Sequence, residues 1–274
     1  MNKIMMRIKL ILMILILTGC APGNAPTTAP PAGAPGIPRT QVSPKDGMTS
    51  LYVPAGEFSM GNAKGNSDEK PAHKVYVDAF WIDQTEVTNA MYAKCVGAGS
   101  CKVPVKTDSD TRPNYYADSQ YADYPVIRVD WSQADVYCRW AGRGLPSEAQ
   151  WEKAARGTDG RTYPWGEYMD PGKVNYNGKD TAKVGSYPEG ASPYGALDMA
   201  GNVSEWVADW FDAGYYAKSA LKNPPGPDSG EERVLKGGSW DSTEIGLRSS
   251  FRGSYDPASQ AFDRGMRCAA NAAP

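Results

Sequence analysis

The sequence predicts one irregular domain in which short strands and short helices are held together by loops and pinned aromatics, and three observations lead there. Five stretches, Arg143 to Gly157, Tyr163 to Gly166, Leu197 to Trp206, Lys236 to Trp240 and Gly265 to Ala269, each set a Trp or Cys beside Gly, Pro or a carboxylate. That composition suits compact loops rather than long periodic helices. Sixteen Tyr, eight Trp and 29 Gly stand against only five Phe, and aromatics with polar edges need hydrogen-bond partners, as in a loop-rich core or a groove. Beyond Gly157 the density of Gly, Pro, Asn and Asp leaves room only for short strands and loops.

The elements follow in chain order. Lys3, Arg7 and Lys9 precede an apolar run, Leu10 to Leu17, which ends in Leu17-Thr18-Gly19-Cys20. The run is shorter than the roughly 20 residues of a membrane-spanning helix and closes at small residues, so residues 1–20 read as a secretory signal with a lipobox, lipidated at Cys20. An uncleaved anchor or a plain secreted chain is the alternative, and each places the body outside the cytoplasm, at the cell envelope. Ala21 after Cys20 differs from an acidic retention signal. Residues 21–47, Pro-, Ala- and Gly-rich, read as a disordered tether. Residues 48–274 then form one large domain, with no second linker and no internal repeat.

Within the body, Leu51 to Phe58 and Lys74 to Ile82 read as strands. A helix follows Thr85, with Val87, Met91 and Tyr92 on one side. Ser132 with Asp135, and Ser147 with Gln150, mark two further helix starts of the capping-box kind. Ala134, Tyr137, Cys138 and Ala141 form the buried face of the first of these, Trp151, Ala154 and Ala155 that of the second, which Gly157 ends.

Three of the 29 basic residues lie in the leader, so the remainder carries 26 against 31 acidic residues, a charge near −5 with no basic cluster. Nucleic-acid binding is excluded on that ground. With Cys20 assigned to lipid, four cysteines remain, an even number for an oxidising compartment. Cys95 and Cys101 suit a local ring; Cys138 and Cys268 either close a very long loop or stay as buried thiols.

In its ordered motifs the chain resembles the formylglycine-generating enzyme, or sulfatase-modifying factor, family. The motifs run from Tyr52-Val53-Pro54-Ala55-Gly56-Glu57-Phe58 through Glu86-Val87-Thr88-Asn89, Val129-Asp130-Trp131, the RGLPSEAQWE stretch, Gly201-Asn202 and Gly237-Gly238-Ser239-Trp240 to Met266-Arg267-Cys268-Ala269. The resemblance implies an α+β fold, a single mixed domain with little regular secondary structure and a distant likeness to C-type lectins. It also implies structural Ca²⁺ and pairing of Cys138 with Cys268.

The same resemblance exposes a departure. The family's enzymes carry two cysteines shortly after the Gly-Gly-Ser, which bind copper and engage the substrate thiol. Here the segment Trp240 to Arg248 holds none, and Ser242 and Glu244 stand nearest the matching positions. Cu(I) prefers soft sulfur ligands, so no copper is expected. Ala155 and Ser249 occupy both positions of a further family disulfide, and Ser204 stands where the enzymes have a Trp. Asp198, Gly201, Val203 and Glu205 match one family calcium loop, with Asp198 in place of Asn; Asn175, Tyr176 and Asp180 match a second, shortened one. Carboxylates and carbonyls are the ligands Ca²⁺ takes, although turn residues capping their own backbone would look the same.

Other chemistry has less support. His73 is the only histidine, which excludes a three-histidine iron site; a lone His beside a strand reads as structural. Asp209 and Asp212 read as solvated carboxylates rather than a catalytic pair, and no phosphate-cradling glycine loop occurs. The sequence therefore points to a monomeric, envelope-anchored, non-catalytic relative. Its groove near Ser239, Trp240, Arg248 and Arg252 would bind a peptide, glycan or protein, unless those residues are internal packing and salt-bridge formers. The alternative is an oxidoreductase acting on an exported protein or small molecule, as some cysteine-less relatives in siderophore chromophore maturation suggest.

Overall fold

A computed structural model describes residues 39–272. The expected signal segment, lipidated Cys20 and most of the tether lie outside these residues. The tether ends earlier than expected. Thr40–Val42 (β1) pairs antiparallel with Thr49–Val53 (β2), Thr40 opposite Leu51. Asp46 between them is buried and accepts a 2.8 Å hydrogen bond from the Tyr137 hydroxyl. Residues 40–47 thus belong to the body, because Thr40 and Val42 are β-branched and can extend a sheet where the Pro-rich stretch before them cannot.

Each of the two long strands expected near the start is broken in two. Pro54 and Ala55 separate β2 from Gly56–Met60 (β3), and Asp78 and Ala79 separate His73–Val77 (β4) from Phe80–Asp83 (β5). The breaks send the pieces to different sheets, with β3 pairing β4 and β2 pairing β5. Ser204–Trp210 (β6), Arg233–Lys236 (β7), Gly253–Tyr255 (β8), Arg264–Gly265 (β9) and Ala269–Asn271 (β10) complete three sheets, ordered β1-β2-β5-β10, β3-β4 and β8-β7-β6-β9. Only β6 and β9 run parallel among the described strands.

Three helices lie against these sheets. The first, Asn89–Gly97 (α1), starts later than expected, capped by the Thr88 side chain. Residues 86–88 are held extended, since Val87 donates to Met266 O and accepts from Val126 N. The second, Trp131–Trp140 (α2), is capped by Asp130 and Gln133 rather than by Ser132 and Asp135: Asp130 Oδ1 accepts from Gln133 N at 2.8 Å, and Gln133 Oε1 from Asp130 N at 3.1 Å. A carboxylate one residue before the first turn is simply the better-placed acceptor. The third, Glu148–Arg156 (α3), has the expected Ser147–Gln150 capping box and ends at Gly157, φ +66°.

All residues of helix α3 except Gln150 are buried, so each charge on it must be matched internally. Glu148 receives two hydrogen bonds from Arg252, at 2.7 and 3.0 Å. Glu152 faces Arg156 at 3.0 Å and Lys236 at 3.4 Å. Lys153 Nζ donates to three carbonyls, those of Pro54, Gly56 and Val77; burial holds its pKa down to about 8. Both cysteine pairs are disulfides, Cys95–Cys101 and Cys138–Cys268, which settles the question of free thiols. Among the described residues no helix is long and apolar enough to cross a membrane.

Candidate functional site

Two regions hold the residues singled out by sequence. The first is the turn entering β6. Asp198 and Asn202 adopt φ of +55° and +61°, and Gly201 adopts +74°. A Cβ at Gly201 would lie 2.3 Å from Asn175 O and 2.5 Å from Val174 Cγ2, so only glycine lets the turn dock on the Asn175 segment. Asn202 N donates to Asn175 O at 2.9 Å and closes that contact.

The turn separates the carboxylates of the expected calcium loop. Glu205 is bound by Arg267 through both oxygens, at 2.7 Å each, and by the Trp151 indole N–H, also at 2.7 Å. It is an internal counter-charge, and its strongest acceptor positions are filled. Asp198 instead faces Glu86, a residue that sequence reasoning quoted only as a motif. Glu86 Oε1 accepts from Asn202 Nδ2 at 3.0 Å, while its buried Oε2 has no partner among the described residues. Burial, then the charges of Asp198 and Glu205, push Glu86 well above the usual carboxylate range. Burial likewise raises Asp198. Among the described residues no three His, Cys, Asp or Glu side chains converge on a metal position. A cation here would therefore lean on carbonyls, with Asp198 and the open oxygen of Glu86 supplying charge; this donor set suits Ca²⁺.

The second expected calcium set does not fit. Asp180 Oδ2 accepts from the Ser109 hydroxyl and from the N–H and hydroxyl of Thr111, and Oδ1 from Thr181 N. Arg112 lies 3.3 Å from the same carboxylate. Those bonds hold Asp180 below the usual carboxylate range against the opposing effect of its burial. Asn175 Nδ2 donates to Asp180 O and Asn202 Oδ1. Asp180 is thus an anchor for the 109–112 loop, and Tyr176 packs on a small apolar cluster with Val174 and Leu247.

The second region is the Gly-Gly-Ser loop. Gly237 and Gly238 have φ of +88° and +67°, and a Cβ on Gly238 would meet Gly246 O at 2.7 Å. The pair lets residues 237–246 fold back tightly. Inside the turn Ser242 Oγ accepts from Ser239 N at 2.9 Å. Ser239 and Trp240 are buried beneath it, the Trp240 ring lying 5.5 Å from that of Phe262. Arg248 pairs with Glu69, and Arg252 is wholly engaged by Glu148, by the carbonyls of Asp68 and Asp212, and by the ring of Tyr216 at 4.3 Å. The expected groove residues are therefore mostly interior, because two of them balance buried carboxylates.

The open space lies alongside. A cleft of about 520 Å³ crosses one face of the β8-β7-β6-β9 sheet. Ser204, Leu235, Ser242, Thr243, Ile245 and Phe251 contribute to its walls, together with the backs of Gly238 and Arg252. Tyr255, Asp263 and Arg264, none of them singled out by sequence, complete it. The adjacent Asp263-Arg264 pair just before the Gly265–Ala269 motif was the signal available. Ser204 and Ser242, which stand in place of a Trp and near a Cys of the resembled enzymes, both open on this cleft. No Cys, Met or His lines it, and the four described cysteines are all in disulfides. The lining donors are oxygen and nitrogen, which do not fit Cu(I).

A family model described as the sulfatase-modifying factor enzyme 1-like domain matches residues 37–272. The formylglycine-generating enzyme of Streptomyces coelicolor is 35% identical over 89% of this chain and 96% of its own length. The serine/threonine-protein kinase Pkn1 of Chlamydia trachomatis is 37% identical over 85% of this chain, which spans 40% of that relative's length. Among solved structures, PvdO from Pseudomonas aeruginosa aligns with a TM-score of 0.74 at 27% identity, covering 88% of this chain and 100% of that one.

Proposed function

Because the chain belongs to the sulfatase-modifying factor enzyme 1-like family, we propose that it is an envelope lipoprotein whose domain binds a ligand in the 520 Å³ cleft without converting cysteine to formylglycine. One observation carries this reading: near a position where the family's enzymes are expected to present sulfur, the cleft presents the hydroxyl of Ser242, with Thr243 beside it. Hydroxyl groups neither hold cuprous ion nor exchange with a substrate thiol. What remains is a pocket of the size that encloses a small ligand or a short chain segment.

Lipid attachment at Cys20 would hold the domain at the membrane. Calcium would be structural, held by Asp198, the carbonyls of Gly201 and Val203, and the free oxygen of Glu86. When bound, it would supply charge neutralisation for two buried carboxylates. The reading is tested by incubating the purified chain with a cysteine-containing sulfatase-motif peptide, copper and oxygen, and following aldehyde formation by mass spectrometry. No aldehyde is expected, and turnover would end the reading. Palmitate incorporation that disappears in Cys20→Ala checks the anchor.

A second reading, an oxidoreductase acting on an exported molecule, is favoured by the near full-length match to the Streptomyces coelicolor enzyme. Oxygen consumption dependent on an added substrate, with Ser242→Ala reducing it, would select that reading over binding alone.

A further inference from the structure

The cleft contains an acid and a base that the fold pairs only loosely, at 3.7 Å. Arg264 is 5% exposed, and its guanidinium lies flat on the Tyr255 ring, 3.4 Å from the centroid. One terminal nitrogen donates to the Ser259 hydroxyl, while the buried Nε has no hydrogen-bond partner among the described residues. The nearest carboxylate oxygen is Asp263 Oδ1, at 3.7 Å, too far for a hydrogen bond. The Asp263 carboxylate in turn accepts no hydrogen bond from another described residue. Burial raises its pKa, Asp241 adds to that, and Arg264 and Arg128 oppose it without cancelling it. Two other buried ion pairs, Arg252 with Glu148 and Arg267 with Glu205, are closer, each with a hydrogen bond at 2.7 Å.

The two open groups sit beside each other for a structural reason. Ser204 pairs with Arg264 in the parallel β6–β9 register, and Ser204 N donates to Asp263 O at 2.9 Å. The start of the short strand β9 and the residue before it thereby hold a donor and an acceptor of opposite charge in the wall of the cleft. Leu235, Phe251 and the 55% exposed Ile245 line its other part. An uncharged oligosaccharide would leave the two charges only their loose contact with each other, and an incompletely paired buried charge is costly. A ligand carrying an ammonium and a carboxylate on neighbouring atoms, followed by an apolar group, would meet all three features.

We propose that this cleft binds the zwitterionic head of an α-amino acid with an apolar side chain, Asp263 accepting from the ammonium, Arg264 donating to the carboxylate, and Leu235, Phe251 and Ile245 covering the side chain. The inference rests on the reading of the cleft as a binding site. The same chemistry occurs in a free amino acid and in a short peptide that places its two ends close together.

Titration calorimetry of the full chain with L-leucine, N-acetyl-leucine, leucinamide, leucyl-leucine and maltotriose tests it. Leucine is expected to bind at least about tenfold more tightly than either blocked form, the loss of one charge-assisted bond being roughly a tenfold effect or more. Asp263→Asn should bring leucine down to the level of N-acetyl-leucine, and Arg264→Lys should bring it close to leucinamide. Leucyl-leucine binding as well as leucine identifies the peptide source; leucine alone identifies the free amino acid. The wild-type panel stands even if a variant fails to fold. Equal binding of leucine and its blocked forms, or no saturation with either leucine or leucyl-leucine, overturns the assignment. Maltotriose binding in their place also overturns it, while leaving the binding reading intact. Copper-dependent aldehyde formation is the separate result that removes that reading.

Discussion

Replacing Arg252 by alanine separates a groove residue from an interior one. The guanidinium makes two hydrogen bonds to Glu148, at 2.7 and 3.0 Å, and two more to the carbonyls of Asp68 and Asp212, both at 3.1 Å. Without it the Glu148 carboxylate, which is 1% exposed, keeps only the Tyr216 hydroxyl at 3.1 Å, its neighbour Lys236 lying 3.8 Å away. Truncating one member of a buried pair costs about 3–5 kcal/mol, mainly because the other charge is left uncompensated. For a domain of this size that is a fall in Tm of roughly 6–20 °C. Urea unfolding followed by tryptophan fluorescence, at unchanged slope, measures the loss. Adding Glu148→Gln to Arg252→Ala should recover part of it, since the stranded charge is then gone. A loss below about 1 kcal/mol in the single variant, or no recovery in the double, would refute the description of Arg252 as an interior counter-charge.

Three further outcomes are expected. Removing the Cys138–Cys268 bond, which spans 130 residues, should cost about 5 kcal/mol by loop entropy, against about 2 kcal/mol for Cys95–Cys101, which spans six; paired Cys→Ala variants compared by denaturant midpoint check the order. Asp209 is fully buried beside Glu148, and its pKa is pushed up to about 7 by burial and then by that neighbouring charge. The native state therefore binds the extra proton between about pH 4 and pH 7, so stability is full at low pH and falls as pH rises through that window. Asp209→Asn should gain on wild type from pH 5 to pH 8, and a pH-independent difference would contradict the assignment. Calcium should raise the Tm of wild type and of Asp180→Ala but not of Asp198→Ala, as read by differential scanning fluorimetry with and without chelator.

Local signals in the sequence carried much of the architecture. The box at Ser147 and Gln150, the stop at Gly157, the apolar face of α2 and the even cysteine count each rest on contacts within a few residues or on simple pairing. Long-range geometry was harder to foresee. Pro54 and Asp78 break apparent strands because each half finds a different sheet, which no local pattern encodes. Arg252 and Trp240 looked like groove residues because nothing near them in sequence shows that Glu148 and Phe262 lie opposite. Conversely, the sequence assigned no role to Asp263 and Arg264, which the parallel register with β6 sets at the cleft. The carboxylate of Glu86 gave no hint that its partner would be Asp198, more than a hundred residues away.

The position of β9 and β10 has a consequence for how the molecule is made. The eight residues from Arg264 to Asn271 supply an outer strand to each of the two larger sheets, and Cys268 between them bonds to Cys138 of α2. A chain that stops short of Arg264 lacks the material to finish either sheet and the partner of Cys138, so it should yield a product that is degraded rather than a slightly shortened domain.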